Sequence, residues 1–95
     1  MMRSIKRYND WQARHLPCSF GDFVAVGDLV DEAMVDYFAE VVFPAYLTPS
    51  MVQCGEPYAH VDGKPTFTTF TKLSEGVWRY CGTCYLGQTE HKEWR

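Results

Sequence analysis

Between Leu29 and Val42 apolar residues return at the helical interval: Leu29, Ala33, Tyr37 and Val41 make one row, and Val30, Met34 and Phe38 the row beside it. Two adjacent rows at four-residue spacing form a broad apolar stripe, the mark of a helix with one face in a core. Asp28 stands where a cap is needed, Asp31 and Glu32 place negative charge in the first turn, where the helix dipole favours it, and Pro44 stops propagation. The pattern predicts a main helix over 28–43, followed by a connector from Pro44 to Ser50. From Met51 onward the period shortens toward two. Met51–Cys54, Thr66–Lys72 and Val77–Leu86 read as strands, the last two rich in the threonine and aromatic residues that suit a pleated, half-buried surface. Asp62-Gly63, after Tyr58–Val61, and Ser74-Glu75-Gly76 are the turn signals between these runs. Residues 51–87 thus read as a β-meander of three to four antiparallel strands. With the main helix laid across one face, the fold class is α+β, with Phe38, Phe67 or Phe70, and Trp78 meeting in the core.

The flanks are weaker in pattern. Residues 1–16 form a basic amino-terminal segment in which Ser4 caps a short helix, Ile5, Tyr8, Trp11 and Gln12 lie along one face, and Pro17 ends it. Phe20–Val26 fits either a short strand or an ordered approach to the main helix. Residues 88–95 read as a polar tail carrying Trp94.

Composition changes this picture only at two points. The chain of 95 residues has room for one domain, and 46% hydrophobic residues with 16% aromatics argue against disorder. No apolar run approaches the roughly 20 residues of a membrane span, and Met1–Leu16 contains no apolar h-region, so the expected setting is cytoplasmic with no membrane partner. Charge is distributed unevenly. Arg3, Lys6, Arg7 and Arg14 against Asp10 leave the first fifteen residues at +3, so the remainder holds −6 of the net −3. That balance argues against direct nucleic-acid binding by the whole domain, although a basic arm could still make a local contact.

Cys81-Gly82-Thr83-Cys84 raises a metal or redox reading, because two thiolates two residues apart can converge across a tight turn. In a continuous strand, however, the two sulfurs point to opposite faces. A zinc site would also have to recruit Cys18, Cys54, His60 or His91 singly. The expectation is therefore no metal and no cofactor, with free, half-buried cysteines. His15, His60 and His91 are scattered without a base–nucleophile order, and the seven glycines are dispersed without a phosphate-binding loop, so the chain is expected to be non-enzymatic. Gln53-Cys54-Gly55-Glu56-Pro57-Tyr58 could shape a binding loop or simply make a bend.

The sharpest feature is an acidic row. Asp28, Glu32, Asp36 and Glu40 recur every four residues, so on one helix they stack about 6 Å apart, and each like-charged pair opposes the helix by about 0.2–0.5 kcal/mol. The row is a solvated face, or is neutralised by Arg3, Lys6, Arg7 and Arg14 of the amino-terminal segment folding back across it, or docks on a basic surface of another protein. In size, in charge layout and in this acidic helix, the chain resembles small accessory proteins of phages and plasmids, including anti-CRISPR and anti-restriction inhibitors. The resemblance implies an inhibitor that occupies the basic, nucleic-acid-binding surface of a host protein or ribonucleoprotein complex through Asp28, Glu32, Asp36 and Glu40. The alternative is a small metal- or nucleic-acid-binding module using Cys81 and Cys84 or the basic amino-terminal segment.

Overall fold

The computed structural model describes residues 2–14, 20–42, 44–55, 60–61 and 64–88. The expected end of the first helix at Pro17, the Asp62-Gly63 turn and most of the tail lie outside these residues. Ser4 starts helix α1 (Ile5–Arg14) as anticipated, its Oγ accepting the Arg7 N–H at 3.2 Å and so satisfying one of the unpaired first-turn donors. A single helical turn, α2 (Phe20–Phe23), follows; it settles the Phe20–Val26 ambiguity in favour of an approach rather than a strand.

The main helix is three residues shorter at its start than the apolar rows predict. Leu29–Asp31 is a strand, β1, and helix α3 runs Glu32–Val41. The reason lies in Asp31. Its backbone is extended, at φ −86° and ψ 166°, and its carboxylate accepts the Met34 N–H at 2.8 Å, so the cap sits here and not at Asp28. Val30 remains fully buried, but from a strand, and the second predicted row therefore reaches the core through two different elements. The first row does not form the core: Ala33 is exposed and Val41 is 65% exposed, while Met34, Val35 and Phe38 carry the buried face.

The presumed connector also contains a strand, β2 (Pro44–Leu47), which pairs antiparallel with β3 (Met51–Cys54). Proline is tolerated there because β2 is an edge strand. Thr48 closes the hairpin: its hydroxyl donates to Met51 O at 3.0 Å and accepts the Met51 N–H at 2.9 Å. A two-residue β4 (His60–Val61) pairs with β5 (Lys64–Ser74), and β5 turns through Glu75-Gly76 into β6 (Val77–Tyr85). The left-handed backbone at that turn, φ 75°, is supplied by Gly76. The α+β class holds, with, among the described residues, five antiparallel strands ordered β1-β6-β5-β3-β2 instead of three or four, and β4 added to β5.

The helices cover one face of this sheet. Phe20 lies at its centre, with ring centroids 4.6 Å from Phe38, 5.0 Å from Tyr80, 5.4 Å from Tyr8 and 5.8 Å from Phe70. Phe38 and Phe70 meet at 5.6 Å, and Trp78 belongs to the same buried cluster, as the sequence leads one to expect. No helix among the described residues is long and apolar enough to cross a membrane.

Candidate functional site

The acidic row does not lie on one helix: Asp28 falls outside α3, while Glu32, Asp36 and Glu40 stand on it. Asp28 precedes β1, where its carboxylate accepts the Ala25 N–H at 3.0 Å and lies 3.7 Å from Arg3 Nε. Glu32, in the first turn of α3, accepts the Trp78 indole N–H at 2.8 Å. Two of the four acids therefore serve the fold: one closes a turn and the other holds a buried tryptophan to the helix. Asp36 and Glu40, one turn apart on α3, remain exposed. The even spacing of the row concealed the break because β1 feeds straight into α3, so the count continues across two kinds of backbone.

The cysteine pair departs from expectation in a different way. Thr68 pairs with Thr83 and Phe70 with Tyr80, leaving Thr69 alone opposite both Cys81 and Gly82. This is a β-bulge, and the extra residue adopts a left-handed conformation at Gly82, φ 82°. The extra residue shifts the alternation, so Cys81 and Cys84 share the face turned away from the helices rather than opposing each other. Both are buried; the Cys84 thiol donates to Cys81 O at 3.4 Å, and Cys81 Sγ lies 3.4 Å from Thr71 Oγ1. Among the described residues no group of three His, Cys, Asp or Glu side chains is placed to hold a metal. Cys54, on the helix-covered face, is fully buried, and loss of hydration pushes its thiol up from 9.0 to about 11. Burial likewise raises the Tyr80 phenol, with smaller contributions from the Cys84 and Cys81 thiols.

Gln53 is an architectural residue. Fully buried on the same face as Cys81 and Cys84, it donates through Nε2 to Thr69 Oγ1 at 3.0 Å and Tyr85 O at 2.9 Å, and its Oε1 accepts the Gly87 N–H at 2.7 Å. The turn after β6 is thereby fastened across the sheet. Gln53 and Cys54 end β3, while Glu56, Pro57 and Tyr58 of the proposed loop lie outside the described residues, as do His15 and His91.

What the structure assembles instead is an open cleft of about 290 Å³ between α1, α2 and the strand-like residue ahead of α1, lined by Arg3, Arg7, Asp10, Trp11, Arg14 and Phe23. Arg7, Trp11 and Arg14 stand at i, i+4 and i+7 on α1, which puts them along one stripe. The stripe is visible in the sequence, but its role depends on Phe23 and Arg3, which only the tertiary fold delivers. Phe23 packs at 5.4 Å from both Trp11 and Tyr8, and the Arg3 guanidinium lies 5.2 Å from its ring centre. The lining brings the guanidinium groups of Arg3, Arg7 and Arg14 together beside the Asp10 carboxylate, with Asp28 3.7 Å from Arg3 Nε, and two aromatic rings give it an apolar wall. Such a lining can attract an anion and shelter a flat group beside it; it holds no nucleophile–base pair.

Compared with known proteins, the chain matches no family model, no curated sequence and no solved structure.

Proposed function

We propose that this domain is a non-enzymatic binding module whose recognition surface is the arginine-lined cleft of α1, and that its partner is polyanionic. The observation that carries the reading is the convergence of Arg3, Arg7 and Arg14 on one cleft with Trp11 and Phe23. The net charge of −3 is compatible with it, because four of the nine basic residues fall in the first fifteen positions against Asp10 alone, so attraction is local. Arg7 and Arg14 are exposed on α1 and outside the core, and Arg14 stands in the last turn, where the helix dipole favours a cation, so reversing both to glutamate is expected to cost about 1–2 kcal/mol while the variant stays folded, as urea unfolding checks. Retention on heparin, or affinity for it by titration, is expected to fall about tenfold or more in Arg7→Glu/Arg14→Glu. Heparin affinity unchanged by the double reversal would remove the cleft from the function.

A second reading keeps the inhibitor of a host defence complex, docking on its basic surface, and rests on the exposed Asp36 and Glu40. Reversing these two to lysine separates the readings. The cleft reading expects undiminished heparin affinity, whereas the inhibitor reading expects loss of binding to a basic protein surface from a variant that stays folded.

A further inference from the structure

Resting on the cleft reading, we infer that the polyanion is single-stranded nucleic acid, with one base laid against Trp11 and the flanking phosphates met by Arg7 and Arg14. The lining distinguishes this ligand from other polyanions. An acidic protein segment would use the guanidinium groups and leave the aromatic wall without a role. A nucleic acid strand brings both a charged backbone and a flat π face, and stacking of a base on an aromatic side chain needs no particular sequence. Trp11 is partly exposed at the cleft, and its ring centroid lies 5.4 Å from that of Phe23 at an interplanar angle of 50°, so the indole is held by packing.

Openness points the same way, because a shallow cleft open to solvent admits a strand that continues beyond it on both sides. A duplex keeps its base faces stacked inside and offers none to Trp11. A duplex would also bring a broad, dense array of charge toward a protein whose residues beyond the first fifteen are net acidic. A short, flexible strand threading past α1 avoids both penalties.

The test uses the full chain and three labelled probes at low salt: oligothymidylate of about twelve nucleotides, a duplex of equal length, and poly-glutamate. Anisotropy titration is expected to rank oligothymidylate at least about tenfold tighter than either of the others, with affinity falling as salt rises. Trp11→Phe retains a ring, and Trp11→Leu retains bulk without one. The Leu variant is expected to bind oligothymidylate about five- to a hundredfold more weakly than the Phe variant, in line with the worth of one stacked base, while the two bind poly-glutamate alike. Equal affinity for oligothymidylate and poly-glutamate, or equal binding by the Leu and Phe variants, would overturn the nucleic-acid assignment and leave the polyanion cleft standing. Failure of all three probes and of heparin would overturn both.

Discussion

Helices α1 and α3 are both ten residues long, and both open on a side-chain cap, Ser4 in one and Asp31 in the other. They are seated very differently. α3 sends Met34, Val35 and Phe38 into the core and uses Glu32 to grip Trp78, so much of its chemistry is turned toward the sheet. α1 buries Tyr8 and rests on Phe20, Phe23 and Phe38 through it, which leaves Arg7 and Arg14 exposed at the surface. Charge spacing alone singles out α3, but two of the acids that spacing counts, Asp28 and Glu32, are engaged within the fold. Arg3 shows the intermediate case, contributing to the cleft while lying 3.7 Å from Asp28.

The contrast can be broken most directly at Phe38. Phe38→Ala removes a ring that touches Phe20 and Phe70 and is expected to cost about 3–5 kcal/mol in urea unfolding. A loss below about 1 kcal/mol would mean that α3 is not the structural helix of the pair. The next largest effect is on pH. Cys54 lies in the cluster that α3 covers, and its thiol ionises near 9.0 when unfolded but only near 11 when buried. Between those values the unfolded chain has released a proton that the folded chain retains, so stability falls as pH rises, by about 2–3 kcal/mol across the window. Cys54→Ala should remove that part of the alkaline slope, and an unchanged slope would show that the thiol is not sealed beneath α3. The smallest effect sharpens the role of Glu32. Glu32→Ala leaves the Trp78 indole N–H without its acceptor and is expected to cost about 1–2 kcal/mol, while Glu32→Gln, which preserves an acceptor oxygen, costs less. Equal thermal shifts for the two variants would show that the hydrogen bond contributes little.

The legible parts of the fold were those in which local pattern and final environment agree. β5 and β6 declared themselves through threonine and aromatic density, and Ser4 through its place ahead of an amphipathic turn. β1 did not, because Leu29, Val30 and Asp31 continue a helical spacing by coincidence and become a strand only by pairing with Val77–Arg79. β2 was hidden by Pro44 and by its exposed, edge position. The bulge had a single local hint, Gly82, and its consequence for Cys81 and Cys84 depends on the register against β5. The cleft was half visible: the Arg7, Trp11, Arg14 stripe lies in the sequence, whereas the approach of Phe23 and Arg3 is a tertiary event.

Arg3 has a second occupation besides its side chain. Its N–H donates to Leu29 O at 2.7 Å and its carbonyl accepts the Asp31 N–H at 3.1 Å, a one-residue parallel bridge laid along the outer side of β1. One margin of the sheet is thus stoppered by the same residue that lines the cleft, while the margin at β2 carries no charged side chain and no further strand among the described residues. Exposed strand margins invite pairing with other chains, and proteins commonly guard them with lysine, proline or a covering segment. Here Pro44 guards one side and the amino-terminal backbone the other. Detaching that backbone would unmake the cleft and bare a second margin in one step, tying the shape of the cleft to the protection of the molecule from its own copies.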